Sequence, residues 1–103
     1  MDIYLTKGKV AVIDTDDWDK VKGGRWHLHK SRHHGKTLYY ARGWRNGRKV
    51  YLHRFLMDAQ PHEEVDHLDG DGLNCRRNNL ECVPPRENKT RQAQRIKEVT
   101  QAL

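Results

Sequence analysis

The sequence is short of apolar residues. Only 35% of its 103 residues are hydrophobic, and mean hydropathy is −1.07, below the usual share for a globular domain. A thin core follows, in one small domain or in two subdomains that share it. Trp18, Trp26, Trp44, Phe55 and the tyrosines are then the heaviest packing units. No apolar run reaches bilayer-spanning length and no signal peptide is visible, so a soluble, cytoplasmic protein is expected. Cysteine is scarce: Cys75 and Cys82 form no C-x2-C unit of the kind zinc sites draw on. Two reduced thiols are expected, with Cys82 packed inward; a disulfide, or a site recruiting His62, is the alternative. No internal repeat or low-complexity segment is present.

Acid is missing from one long interval. Between Asp19 and Asp58 there is no Asp or Glu, while Lys20, Lys22, Arg25, Lys30, Arg32, Lys36, Arg42, Arg45, Arg48, Lys49 and Arg54 all fall there, with histidines among them. The net charge is +6. A surface without a special partner mixes its signs, so a one-signed block points to a polyanion, and nucleic acid is the expected partner.

What is present reads as short elements. KGKVAVI, residues 7–13, predicts a strand, and Asp14-Thr15-Asp16-Asp17 supplies N-cap chemistry for a short helix over 15–22 that ends at Gly23-Gly24. In RWHLHK, 25–30, Trp26 and Leu28 alternate with Arg25, His27 and His29, as in a half-buried strand. TLYYARGW, 37–44, predicts a second strand. Arg45-Asn46-Gly47-Arg48 then signals a type I′ hairpin into KVYL, 49–52. The result is a three-stranded antiparallel sheet with Arg and His on its polar face, followed by a short helix from 53 to 58. Beyond Gln60-Pro61, VDHL (65–68) and NLECV (79–83) read as two strands around a polar loop at 69–78. Pro85 suits the first position of a basic helix over 86–103. Asn88, Arg91, Gln92 and Arg95 share one side of that helix. The fold class is α+β.

The stretch VDHLDGDGLNCRRNNL, 65–80, carries the candidate chemistry. As a calcium loop it fails. Counting from Asp69, Leu73 stands where an EF-hand has its third acid or amide, and Asn74 replaces the glycine. As a hydrolytic site it has better parts. Asp66 and His67 are strand neighbours, so their side chains leave on opposite faces and need different jobs, one holding a metal and the other facing a water. Asn88 could close the metal site, leaving positions for phosphate and water around a hard cation such as Mg²⁺.

These residues carry a resemblance. LHR (52–54), the Asp66-His67 pair, Asn79 twelve residues after the histidine, Asn88 nine further on, and PRENK together resemble the homing-type HNH endonucleases of the ββα-metal class, in the variant whose last motif residue is Asn. The motif spans about residues 50–92. The resemblance implies that His67 is the general base, that Asp66 and Asn88 hold one divalent cation (Mg²⁺, with Mn²⁺ as a substitute), and that Asn79 ties the loop so that His67 points correctly. Asn74 and Gly70 shape the loop, and His53 supports the site. Proteins of this kind commonly have Thr-Pro before the last helix. Here Pro84-Pro85 removes the capping hydroxyl, which bears on the aim of Asn88.

Residues 1–58 form the expected sheet-based DNA-binding subdomain, and 59–103 the nuclease subdomain with its C-terminal helix. The first half is similar to the plant ethylene-response-factor fold, which lays a sheet in the major groove of double-stranded DNA. Arg25, Arg42, Arg45, Arg48, Lys49, Arg54, Arg76, Arg77 and Arg91 are the DNA-binding candidates. The function implied is a metal-dependent DNA endonuclease of phage or mobile-element type. It acts as a monomer or homodimer, and one such site nicks one strand. The alternative is a non-catalytic DNA-binding module on a degenerate HNH scaffold.

Overall fold

The computed structural model describes the backbone of residues 1–33 and 35–102 and the side chains of 1–32 and 35–95. It has an α+β fold of small antiparallel sheets and short helices. The first hairpin joins β1 (Asp2–Tyr4) to β2 (Val10–Val12) through a 3-10 turn at Thr6–Gly8, where Lys7 and Gly8 both take positive φ. The sequence pattern does not announce β1.

A 3-10 turn at Thr15–Asp17 runs into helix α1 (Trp18–Val21). The expected N-cap bond of Asp14 is not made. Its carboxylate instead accepts the backbone N–H of Arg77, 2.8 Å away, because the second half of the chain offers a competing donor.

Strands β3 (Trp26–His33), β4 (Lys36–Arg45) and β5 (Arg48–Tyr51) form the three-stranded sheet in that order. The β4–β5 turn has φ of 53° at Asn46 and 76° at Gly47, the two positive angles that a type I′ turn demands. Registers Trp26↔Gly43 and Leu28↔Ala41 put one face on the core. Registers His27↔Arg42, His29↔Tyr40 and Arg42↔Tyr51 make up the other. Gly43 is needed where it stands: a Cβ there would lie 2.5 Å from the Arg25 carbonyl oxygen and 2.9 Å from the Trp26 ring.

Helix α2 (Leu52–Leu56) follows directly and buries Leu52 and Leu56. Strands β6 (Glu64–His67) and β7 (Leu80–Val83) pair antiparallel, with Asp66↔Glu81 and His67↔Leu80 in register. Helix α3 (Pro85–Ala102) begins at the proline despite the missing threonine cap. No helix among the described residues is long and apolar enough to cross a membrane.

The core draws on both halves of the chain: Ile3, Ala11, Ile13, Val21, Trp26 and Ala41 pack with Leu52, Leu56, Val65, Cys75 and Leu80. The halves are also joined by backbone bonds. Val12 donates to Leu73 O at 2.8 Å and accepts from Cys75 N–H at 2.7 Å, so β2 runs parallel to the loop between β6 and β7. Both cysteines are free thiols. It is Cys75 that is buried, against the core, while Cys82 is only half-buried.

Candidate active site

Strand β6 separates two kinds of chemistry by alternation. Val65 and His67 face the core; Glu64 and Asp66 face the opposite way, toward α3. Asp66 is 1% exposed. Its Oδ1 and Oδ2 accept a two-pronged contact from Arg95 at 2.8 and 2.7 Å, and Oδ2 also accepts from Arg91 at 3.1 Å. Burial raises the pKa of this carboxyl, but the hydrogen bonds from Arg95 and then Arg91 outweigh it and hold the group below its ordinary value. Arg91 is further tied to Glu81 and Glu87.

His67, 6% exposed, sits in an aromatic nest. Its ring centroid is 4.5 Å from that of His53 and 5.8 Å from that of Tyr40, and Nε2 lies 4.0 Å from Cys75 Sγ. Burial drives its pKa down to about 4, against the opposing pull of Asp66, Asp69 and Asp71. The imidazole is therefore neutral at neutral pH and able to take a proton. His53 stands at the β5–α2 junction, stacked with Tyr40 and Tyr51, and burial lowers its pKa well below the usual value. Its Nδ1 is buried and makes no hydrogen bond within the protein.

Asn79 closes the loop. Its Nδ2 donates to Asp69 Oδ1 and Asn74 O, both at 2.9 Å, while its Oδ1 accepts from Asp69 N–H at 3.0 Å and its carbonyl from Leu68 N–H at 2.8 Å. Asn74 donates to Asp69 Oδ2, and Asp69 and Asp71 cap the backbone two residues ahead. The loop aspartates thus serve the loop's own geometry, with Gly70 at φ 80° completing the bend.

Asn88, 5% exposed, lies in the first turn of α3, and its N–H donates to Pro84 O at 3.1 Å. Its Nδ2 donates to Glu64 Oε2 at 2.7 Å. Its Oδ1 is buried and has no hydrogen-bond partner. A cavity of about 520 Å³ is lined by Asp66, His67 and Lys36 with Lys89 and Arg95 of α3. A second of about 320 Å³ is lined by His53, Asn88 and Tyr51, and Glu64, His67, Tyr40 and Gln92 border both.

The basic candidates fall into two groups. Arg45 donates to Lys20 O, Arg54 to Glu63 O and Gln60 O, Arg77 to the Asp17 carboxylate, and Arg91 to Asp66, so these side chains brace the protein itself. Arg25, Arg48, Lys49 and Arg76 are exposed. Arg42 is half-buried over the Tyr51 ring, and Lys49 lies over Trp44.

Several contributors were not singled out from the sequence. Glu64 was legible in principle, since it stands two residues before Asp66 and so shares its face. Arg95 was visible on the Asn88 side of the helix, but not its grip on Asp66. Tyr40 reaches the site from a distant strand, and no local pattern reports that.

A family model described as HNH endonuclease matches residues 58–90. The matched segment holds Asp66, His67, Asn79 and Asn88, and supports an HNH nuclease domain there. Neither the curated proteins nor the solved structures contain a match to the chain.

Proposed function

We propose that this protein is a metal-dependent DNA endonuclease in which His67 is the general base and Asp66 and Asn88 hold one divalent cation. The observation that carries the reading is Asn88 Oδ1, a buried carbonyl oxygen with no partner, on the helix that packs over Asp66. A buried acceptor of this kind is costly unless something satisfies it. Among the described residues no group of three His, Cys, Asp or Glu side chains is arranged to hold a metal. A cation here would therefore rest on carboxylate and amide oxygen, with phosphate and water completing its shell. That donor set fits Mg²⁺ or Mn²⁺. Asp66 keeps one lone-pair site, on Oδ1, beyond the three its arginines use.

The residues then divide the work of hydrolysis. His67 accepts a proton from the attacking water, whose oxygen forms the new bond to phosphorus as the bond to the 3′ oxygen breaks and that oxygen takes a proton from solvent. The products carry 5′-phosphate and 3′-hydroxyl ends. The approaching phosphate raises the basicity of His67 by its charge. A cation held by Asp66 and Asn88 would supply neutralisation of the charge that develops on the phosphate and the leaving oxygen. Asn79 holds the loop that aims His67. The β3–β4–β5 sheet, with His27, His29, Arg42 and Lys49 on its outer face, supports the reading of residues 1–58 as a DNA-binding sheet of ethylene-response-factor type. Double-stranded DNA is the substrate, and a single site nicks one strand.

Supercoiled plasmid incubated with the protein and Mg²⁺ or Mn²⁺ is expected to be nicked, with loss of nicking in chelator and in His67→Ala. Nicking that persists in either would overturn the mechanism. One observation favours a second reading, a non-catalytic DNA-binding module: the guanidinium of Arg95 already neutralises Asp66. Plasmid binding without nicking in either metal selects that reading.

A further inference from the structure

An asparagine can ligate a cation only through its oxygen, yet its two ends are nearly the same size. Which end faces a site is set by what the other end meets. At Asn88 the other end meets a carboxylate, Glu64 Oε2, at 2.7 Å. A carboxylate accepts hydrogen bonds and cannot donate them. The group toward Glu64 must then be the NH₂, and Oδ1 must point the other way. That Oδ1 is the atom left buried and unpartnered in a side chain 5% exposed. Glu64 and Asn88 border the same cavity as His67. Glu64 also stands two residues before Asp66 on β6, so one strand face presents both the candidate ligand and the group that orients the other ligand.

We propose that Glu64 is a positioning residue for the cation site. Its carboxylate locks the Asn88 amide with Oδ1 turned toward the cation, and so replaces the aim lost with the helix cap. The inference rests on the reading of Asp66 and Asn88 as the metal ligands.

The test uses the full chain without DNA and reads Mn²⁺ affinity from the electron paramagnetic resonance of free Mn²⁺. Glu64→Gln is nearly isosteric but can donate as well as accept, so it frees the amide to flip. Its affinity is expected to fall roughly 10- to 100-fold. Because Glu64 acts through Asn88, adding Glu64→Gln to Asn88→Ala should change affinity by no more than about twofold beyond Asn88→Ala alone. Glu64→Asp keeps an accept-only group and should bind Mn²⁺ more tightly than Glu64→Gln. Thermal unfolding of each variant reports folding separately.

Wild-type affinity in Glu64→Gln overturns the proposal. So does an equal loss in the Asn88→Ala background, which would make Glu64 a direct ligand or a source of charge. In both cases the metal reading stands. Asn88→Ala binding Mn²⁺ as tightly as wild type overturns the metal reading and the proposal together.

Discussion

At His67 burial and charge pull in opposite directions, and burial wins. The folded protein refuses a proton until about pH 4, whereas an unfolded chain takes it near pH 6.5. Above about pH 6.5 both states are neutral and the group has no effect on stability. As pH falls from there to about 4, the unfolded state binds a proton that the folded state does not, and stability is lost. The slope for one such group is at most about 1.4 kcal/mol per pH unit. His53 adds to it in the same direction. Urea unfolding of metal-free protein should therefore weaken through this window, and His67→Gln should flatten the decline by up to that slope. A slope unchanged by the substitution would mean that the imidazole protonates freely in the fold. The identity of His67 was legible from its place beside Asp66 and its distance to Asn79. Its environment was not, because Tyr40 and His53 arrive from other elements.

Among the elements, local signals fared best where they are chemically strict. Asn46-Gly47 dictated its hairpin, and Pro85 marked the start of α3 even without a capping hydroxyl. Asp14 was misread because an N-cap rule considers only its own helix, and the winning donor lies 63 residues away. Strand β1 was missed because three residues carry too little pattern. The loop between β6 and β7 illustrates a constraint that no pattern displays. A Cβ on Gly72 would lie 2.1 Å from the Tyr39 carbonyl oxygen and 2.7 Å from the Tyr40 ring. The contact is with β4 backbone, so it has little room to yield. Gly72→Ala is expected to destabilise the fold by about 1 to 3 kcal/mol in denaturant unfolding. It should also disturb Tyr40, which packs on His67. Wild-type stability would show that the loop stands further from the sheet.

Over the whole molecule, a run of ring contacts joins the polar sheet face to the candidate site. The polar sheet face carries Arg42 over Tyr51, and Tyr51 and His29 lead through Tyr40 to His67. DNA laid on that face would extend toward the candidate site. Binding should weaken steeply with salt, since each neutralised phosphate releases counterions. If Arg42 and Lys49, which share that face, touch phosphate, replacing each with alanine should reduce the log–log salt slope by about 1. Fluorescence anisotropy with labelled duplex at several salt concentrations measures it, and an unchanged slope would remove these residues from the interface. The acid-free interval points to a polyanion partner. It did not reveal that Arg45 and Arg54 bond to the protein's own backbone, as Arg77 and Arg91, outside that interval, bond to its carboxylates. The bonds from β2 to residues 73 and 75, and from Asp14 and Asp17 to Arg77, have a different consequence. The 58–90 segment matches a family model as a unit but is not a unit of construction. Spliced into a foreign host, it would arrive with an unzipped backbone edge and a dangling arginine. The recipient would have to provide a matching strand and acid before the graft could stand.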